Sequence, residues 1–549
     1  MNSPLPFVLL PPRAVAFGRL PRFLLTGVLV ALLPACQGLR VAREAGHTTD
    51  HLEQAKQAWQ VMEREAPGTV PAQNALRTYD RAVAAVVKSL RAKEGTSAWG
   101  KPVMLGGVRP WQLTFDGPAR QNSARTFELA DFTHCRLAAD VKLHGFDRVV
   151  AQGGLGVPVV LEDSHRLASP FYPPHGQFFP ATAVLEFPEA VPGRPAEARL
   201  RFYNPLEVVD LPVGRHPQPL AANLTAALEF TLTDAPFEQI RPHEATPSAS
   251  GEKESQLYFL TRYDKTKVPV VFVPGMLSKP SAWKNTINEL FADPDLRRRY
   301  QPVIFVYPPK LPIPLSAARL RELLKRSRGQ LDPGHHDAGF GRMVLVGHSM
   351  GGLLARLQVT DSGTDFWNAF FTAPPKKTAG QLDDKTQDLM RGSLFFQRDP
   401  DVRLVVFIAT PHRGSLLADV SLYRAVMRLL VSLPETARHR LQSFLELPAT
   451  FIQPALRPFH GFGVEGIENL STKHLFFSAL ARHPVGAPFH SIIAVRQPRN
   501  FRQGSDDVVP YWSAHLDGSV SETIVPYTHG CLERPATVQA IMKILKESK

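Results

Sequence analysis

Along the chain the order of apolar and polar residues changes character several times. Residues 51–94 read as two helices broken by "APGTVP", and the second, "AQNALRTYDRAVAAVVKSLRA", repeats its apolar residues at helical spacing. From 96 to 245 the repeat shortens to two. Ala198, Leu200 and Phe202 alternate with Arg199 and Arg201; Leu228, Phe230 and Leu232 alternate with Glu229, Thr231 and Thr233. Segments 136–145, 157–163, 182–188, 197–203 and 225–233 are strand-like between Pro/Gly turns. An antiparallel, sandwich-like β-rich domain is the expectation for 96–245. The polar, breaker-rich stretch 235–256 follows, with 246–256 as the linker.

After 257 the runs become continuously apolar, as in strands buried on both faces. "VPVVFVPG" (268–275), "PVIFVYP", "MVLV", "VRLVVFIATP" (402–411), "HSIIAV" (490–495) and "ETIVPY" (522–527) are such runs. Amphipathic segments lie between them, one with Trp283, Ile287, Leu290 and Phe291 on a stripe, another with Leu320, Leu323 and Leu324. Alternation of this kind predicts an α/β domain over 257–549 with a mostly parallel sheet. Residues 416–487 are too long for a loop and carry apolar helical patches, which suggests a helical cap over the sheet.

Composition narrows the function classes. The 549 residues carry 44% hydrophobic and 21% charged side chains, which suits a soluble, multidomain globular protein. The formal net charge is +13, but the arginines are scattered, without a dense basic block and interleaved aromatics, so nucleic acid is not an expected partner. The three cysteines, Cys36, Cys135 and Cys531, form neither a disulfide framework nor a C-x-x-C site. Whether Cys135 and Cys531 pair is open. His335 and His336 fall in a polar loop, and no metal or cofactor is called for.

At the N-terminus Arg13, Arg19 and Arg22 precede "FLLTGVLVALLPAC". The apolar run, about a dozen residues, fits the core of a secretory signal and is too short to span a bilayer. It ends in Leu33-Pro34-Ala35-Cys36, which resembles the bacterial lipoprotein signal, with Pro34 departing from the usual small residue. That resemblance implies removal of the leader, lipid on Cys36, and, with Gln37 next, a membrane partner in the outer membrane of the cell envelope. An ordinary signal peptide or a buried apolar segment is the alternative. Residues 1–36 are thus the leader, and 37–95 a tether and helical hairpin.

One constellation carries chemistry. Gly347-His348-Ser349-Met350-Gly351 fits the G-x-S-x-G elbow, with "MVLV" before it and "LLARLQ" after it. A serine on so sharp a strand-to-helix turn needs small neighbours, which Gly347, Gly351 and Gly352 supply. It also needs a histidine base and a carboxylate to orient that base. "GSDDVVPYW" (504–512) and "YTHGC" (527–531) each follow an expected strand, so both fall on the edge that bears Ser349. His529 is the expected base and Asp506 the expected acid, with Asp507 as the alternative.

Residues 257–549 resemble an α/β-hydrolase of the bacterial lipase/esterase kind. "VFVPGML", "VLVGHSMGG", "IATPHRGS", "SDDVVP" and "YTHG" carry the resemblance in the expected order Ser, acid, His. It implies an oxyanion hole from the main-chain N–H of Met350 and of Met276, although Pro274-Gly275 stands where most relatives have His-Gly. It gives His412 and Arg413 of "TPHRGS" a supporting role. "FYPPHGQFFPATAVLEF" (171–187) is similar to a region ahead of the hydrolase domain in bacterial lipoprotein hydrolases. The implied activity is hydrolysis of carboxylic esters, lipid esters among them, through an acyl-enzyme. Thioesterase, amidase or acyltransferase chemistry on the same triad is the first rival. A non-catalytic envelope binding protein on this scaffold is the second.

Overall fold

The computed structural model describes residues 47–106, 110–115, 125–164, 169–233, 255–276, 278–308, 313–382, 384–415, 447–454 and 475–548. Cys36 and its leader, residues 246–254 of the linker, and the larger part of the cap segment 416–487 lie outside them. Among the described residues no helix is long and apolar enough to cross a membrane.

The chain opens with helices α1 (47–64) and α2 (Val70–Leu90). The Thr69 side chain caps α2 by accepting from the Ala72 N–H, and a proline in the first turn suits a position whose N–H has no helical partner. Among the described residues eleven strands follow: β1 (Val103–Leu105), β2 (Trp111–Thr114), β3 (Thr126–Phe127), β4 (His134–Leu137), β5 (Ala151–Gln152), β6 (Val157–Asp163), β7 (Gln177–Glu186), β8 (Ala196–Tyr203), β9 (Asp210–Val213), β10 (His216–Pro219) and β11 (Ala222–Asn223). The main sheet has seven strands in the order β1-β2-β8-β7-β6-β4, with β3 also on β8. The β2–β8 pair is parallel, the remaining pairs antiparallel.

Two expectations change here. The β-rich region is not a pair of stacked sheets. α1 and α2 cover one face of the seven-stranded sheet, placing Leu52, Trp59, Val83 and Val86 in one core with Leu161, Ala183, Leu200 and Phe202. The helical hairpin and the strands therefore bury each other. Tyr79 of α2 reaches into that core, donating to the Leu185 carbonyl and accepting from the Leu185 N–H, both at 2.7 Å.

The second correction is residues 225–233, which form helix α3 (Leu224–Thr233) rather than a strand. Ala226 and Ala227 face Val160 and Phe178 of the sheet, whereas Leu228 and Leu232 face Trp283 and Ile287 of the C-terminal half. Two buried helix faces produce the alternation that mimics a strand. The polar residues between them are satisfied inside. Thr225 donates to Asn288 at 2.8 Å, Glu229 accepts from the His144 N–H at 3.1 Å, and Thr231 donates to the Ala227 carbonyl at 2.9 Å. Likewise, 136–145 is extended only through Leu137 and then turns at Ala138–Asp140.

The C-terminal half holds a second seven-stranded sheet: β12 (Gln256–Phe259), β13 (Val268–Val273), β14 (Tyr300–Val306), β15 (Met343–His348), β16 (Val402–Ile408), β17 (Phe489–Ala494) and β18 (Ser521–Val525), in the order β12-β14-β13-β15-β16-β17-β18. Every pair is parallel except β12–β14. Val271, Val273, Leu345 and Val405 enter one core; Val270, Phe272, Val346 and Val406 enter the other. Both faces are thus covered, which is why the strands read as unbroken apolar runs. Helices Ile313–Leu331, Met350–Arg356 and Pro535–Glu547 supply the covering side chains. β12 is an edge strand that sequence patterning missed. Its Phe259 N–H donates to the Phe171 carbonyl at 2.8 Å, so the N-terminal half meets that edge at Phe171.

Candidate active site

Five parallel strands, β13 and β15 to β18, set the site, because their C-terminal ends share one rim. β15 ends at His348, and Ser349 turns directly into the helix Met350–Arg356. The elbow is strained: Ser349 has φ 54° and ψ −124°. A non-glycine residue in such a region costs about 1–3 kcal/mol and is held by its surroundings. Its N–H donates to the Ile408 carbonyl of β16 at 2.8 Å, which fixes the turn to the sheet. The glycines are required by close approach. A Cβ on Gly347 would lie 2.6 Å from the Gly351 carbonyl oxygen; one on Gly351 would strike the Val273 carbonyl, and one on Gly352 the Thr410 hydroxyl.

The structure brings Ser349, His529 and Asp506 together. His529 Nε2 lies 2.8 Å from Ser349 Oγ, and its Nδ1 lies 2.7 Å from Asp506 Oδ2. Asp506 is fully buried, and its other oxygen accepts from the Val508 N–H at 2.9 Å and the Val509 N–H at 2.6 Å. Three hydrogen bonds therefore converge on one carboxylate. The His529 N–H donates to the Asp506 carbonyl at 2.8 Å, so main chain as well as side chain joins base to acid. Asp507 points elsewhere. It takes φ 77°, and its exposed carboxylate faces Arg496 at 3.3 Å. Of the two aspartates, the turn brings only Asp506 to His529.

His348 is buried against the base, its ring centroid 5.2 Å from that of His529. Burial, and secondarily the neighbouring His529, lowers its pKa to about 3, so it stays neutral. The loop after β13 presses on the elbow, since a Cβ on Gly275 would sit 3.0 Å from His348 Nδ1 and 3.2 Å from Ser349 Cβ. Tyr307 donates to the Pro274 carbonyl at 2.8 Å and steadies this loop. Met276 follows Gly275 there, half-buried against the core. Met350 is the first residue of its helix, so its N–H has no acceptor within the helix.

The turn after β16 braces the acid loop. The His412 N–H donates to the Ser513 carbonyl at 2.9 Å, the Arg413 guanidinium to the Trp512 and His515 carbonyls at 2.6 and 2.5 Å, and the Ser415 hydroxyl to the Val508 carbonyl. The His412 ring is fully buried, edge-on to Phe407, and neither of its nitrogens has a partner among the described residues. Burial keeps it far below the usual histidine range. Sequence reading passed over Ser278, whose hydroxyl faces His348 Nδ1, Thr410, whose hydroxyl donates to the Ile408 carbonyl, and Ser513 of the short helix Tyr511–Ala514, whose hydroxyl donates to the Gly414 carbonyl. Cys531 lies just beyond His529, buried and free; burial and the Asp506 charge push its thiol up to about 12. Cys135 is also buried and free, so the two do not pair.

A hydroxyl hydrogen-bonded to an imidazole, whose far nitrogen faces a buried carboxylate, can surrender its proton as it attacks an electrophilic carbon. No family model and no curated protein matches this chain. Some solved structures are similar to part of it. A mature-form lipase from Bacillus licheniformis is 17% identical, over 53% of this chain and 97% of that one, with a TM-score of 0.31. A metagenomic carboxyl esterase is 18% identical, over 52% and 77%, at 0.28. Esterase B from Lactobacillus rhamnosis is 13% identical, over 55% and 81%, at 0.30. Likeness this distant assigns no activity to the chain.

Proposed function

We propose that this protein is a serine hydrolase that cleaves carboxylic esters, lipid esters among them, through an acyl-enzyme on Ser349. The observation that supports the reading best is the continuous chain of Ser349 Oγ, His529 Nε2, His529 Nδ1 and Asp506 Oδ2, with links of 2.8 and 2.7 Å. Ser349 Oγ attacks the acyl carbon while His529 Nε2 takes its proton. Asp506 stabilises the imidazolium through Nδ1–H. The N–H groups of Met350 and Met276 receive the oxyanion; loss of such a donor raises a barrier by about 3 kcal/mol. Collapse expels the alcohol, which takes the proton from His529. Water then repeats the sequence and releases the acid.

In this reading 257–549 is the catalytic domain and 416–487 its cap. The leader ending at Cys36 would anchor the protein to the outer membrane by lipid. A Cys36→Ser variant should leave the membrane fraction; if it stays, the anchor is wrong. A fluorophosphonate probe tests the mechanism. Wild type should label stoichiometrically and Ser349→Ala not at all. Labelling of both, or of neither, rejects it.

A further inference from the structure

We infer that His348 is a positioning residue for the base, clamping the main chain of His529 from the nucleophile side and tying it to Ser278. The inference rests on the serine-hydrolase reading above.

Both backbone polar groups of His529 are held. Its N–H donates to the Asp506 carbonyl at 2.8 Å, and its carbonyl lies 3.0 Å from His348 Nε2. A carbonyl only accepts, so the proton of the neutral His348 ring sits on Nε2. Nδ1 is left as an acceptor, and the Ser278 hydroxyl faces it at 3.5 Å. One ring therefore touches three parts of the site: the elbow that carries it, the base loop, and the loop that bears Met276.

The base loop is anchored beyond His529 by buried Cys531 and Leu532 and before it by Tyr527 packed on the core, but the residues flanking His529 between these anchors are open to solvent. Pro526, Thr528 and Gly530 are exposed, and a Cβ on Gly530 would meet nothing within 4 Å. Exposed residues of this kind leave a loop free to drift unless its main chain is tied. His348, by contrast, is buried at the end of a central strand and inherits the rigidity of the sheet. The residue type fits the task. It reaches the carbonyl with a donor while remaining uncharged, so it does not oppose the positive charge that His529 must accept during catalysis.

The test compares two polar replacements. His348→Gln keeps an N–H at the reach of Nε2, whereas His348→Asn ends short of it and preserves only the side facing Ser278. Steady-state kinetics on a short-chain p-nitrophenyl ester would be measured beside wild type and Ser349→Ala, with melting temperatures for all. His348→Gln should keep kcat within about threefold of wild type. His348→Asn should lose about 30-fold or more in kcat with KM within about twofold, as expected when a reacting group is displaced by a fraction of an ångström to an ångström. His348→Met, which fills the space without a donor, replaces His348→Asn if that variant does not fold. Equal kcat for the Gln variant and the donor-less variant overturns the inference. A Ser349→Ala protein as active as wild type overturns instead the hydrolase reading beneath it.

Discussion

Adjacent aspartates show how finely single positions are resolved in this site. Asp506 is buried with three donors on its carboxylate, whereas Asp507 is exposed and turned away by a left-handed backbone at φ 77°. Asp506→Asn should lower kcat by about 10³–10⁴, because the amide can no longer hold the productive tautomer of His529. Asp507→Asn should stay within about threefold of wild type on the same ester assay. Gly352→Ala should abolish fluorophosphonate labelling, since the new methyl group meets Thr410. Much of this site was legible in the sequence: the elbow glycines, Ser349 and His529 follow from motif and strand position. Spacing alone left both aspartates eligible, because which of them turns inward depends on one backbone dihedral. Ser278 and Thr410 carried no signal, since each matters only through a residue distant in the chain.

Secondary-structure elements were legible where burial is one-sided or complete, and illegible where a helix is buried on two faces. β13, β15 and β16 read correctly from continuous apolar runs. α3 did not, because Leu228, Phe230 and Leu232 alternate with Glu229 and Thr231, and Glu229 finds its partner, His144, far away in the chain. Only the presence of both neighbours reveals that Glu229 and Thr225 are interior. α2 yields a prediction of its own. Asp80 accepts from the Gly156 N–H but is desolvated where the helix meets the sheet, and burial raises its pKa to about 7 from 3.8. Between those values the folded state holds a proton that the unfolded chain has lost, so stability falls as pH rises and the deficit is complete above about pH 7. Asp80→Asn removes the titration and retains an acceptor for Gly156. It should melt about 3–5 °C above wild type at pH 8 and level with it at pH 4, read by thermal denaturation across that range.

The two sheets behave as one molecule because α3 and its neighbours are shared. Leu228 and Leu232 pack with Trp283 and Ile287, Arg148 makes a two-pronged pair with Glu289 at 2.5 and 2.8 Å, and Asn288 donates to the Arg148 carbonyl at 3.0 Å. Leu228→Ala and Leu232→Ala should each destabilise by about 2–4 kcal/mol in denaturant titration. A fragment beginning at 255 would uncover Trp283 and Ile287 and should not yield a soluble monomer on size-exclusion chromatography. The Phe259–Phe171 bond carries a consequence of a different kind. An unsealed outer strand invites pairing with another chain. Synthesis runs from the N-terminus, so the residue that meets β12 leaves the ribosome before β12 does. Each newly made chain thus carries one partner for this outer margin before the margin itself exists.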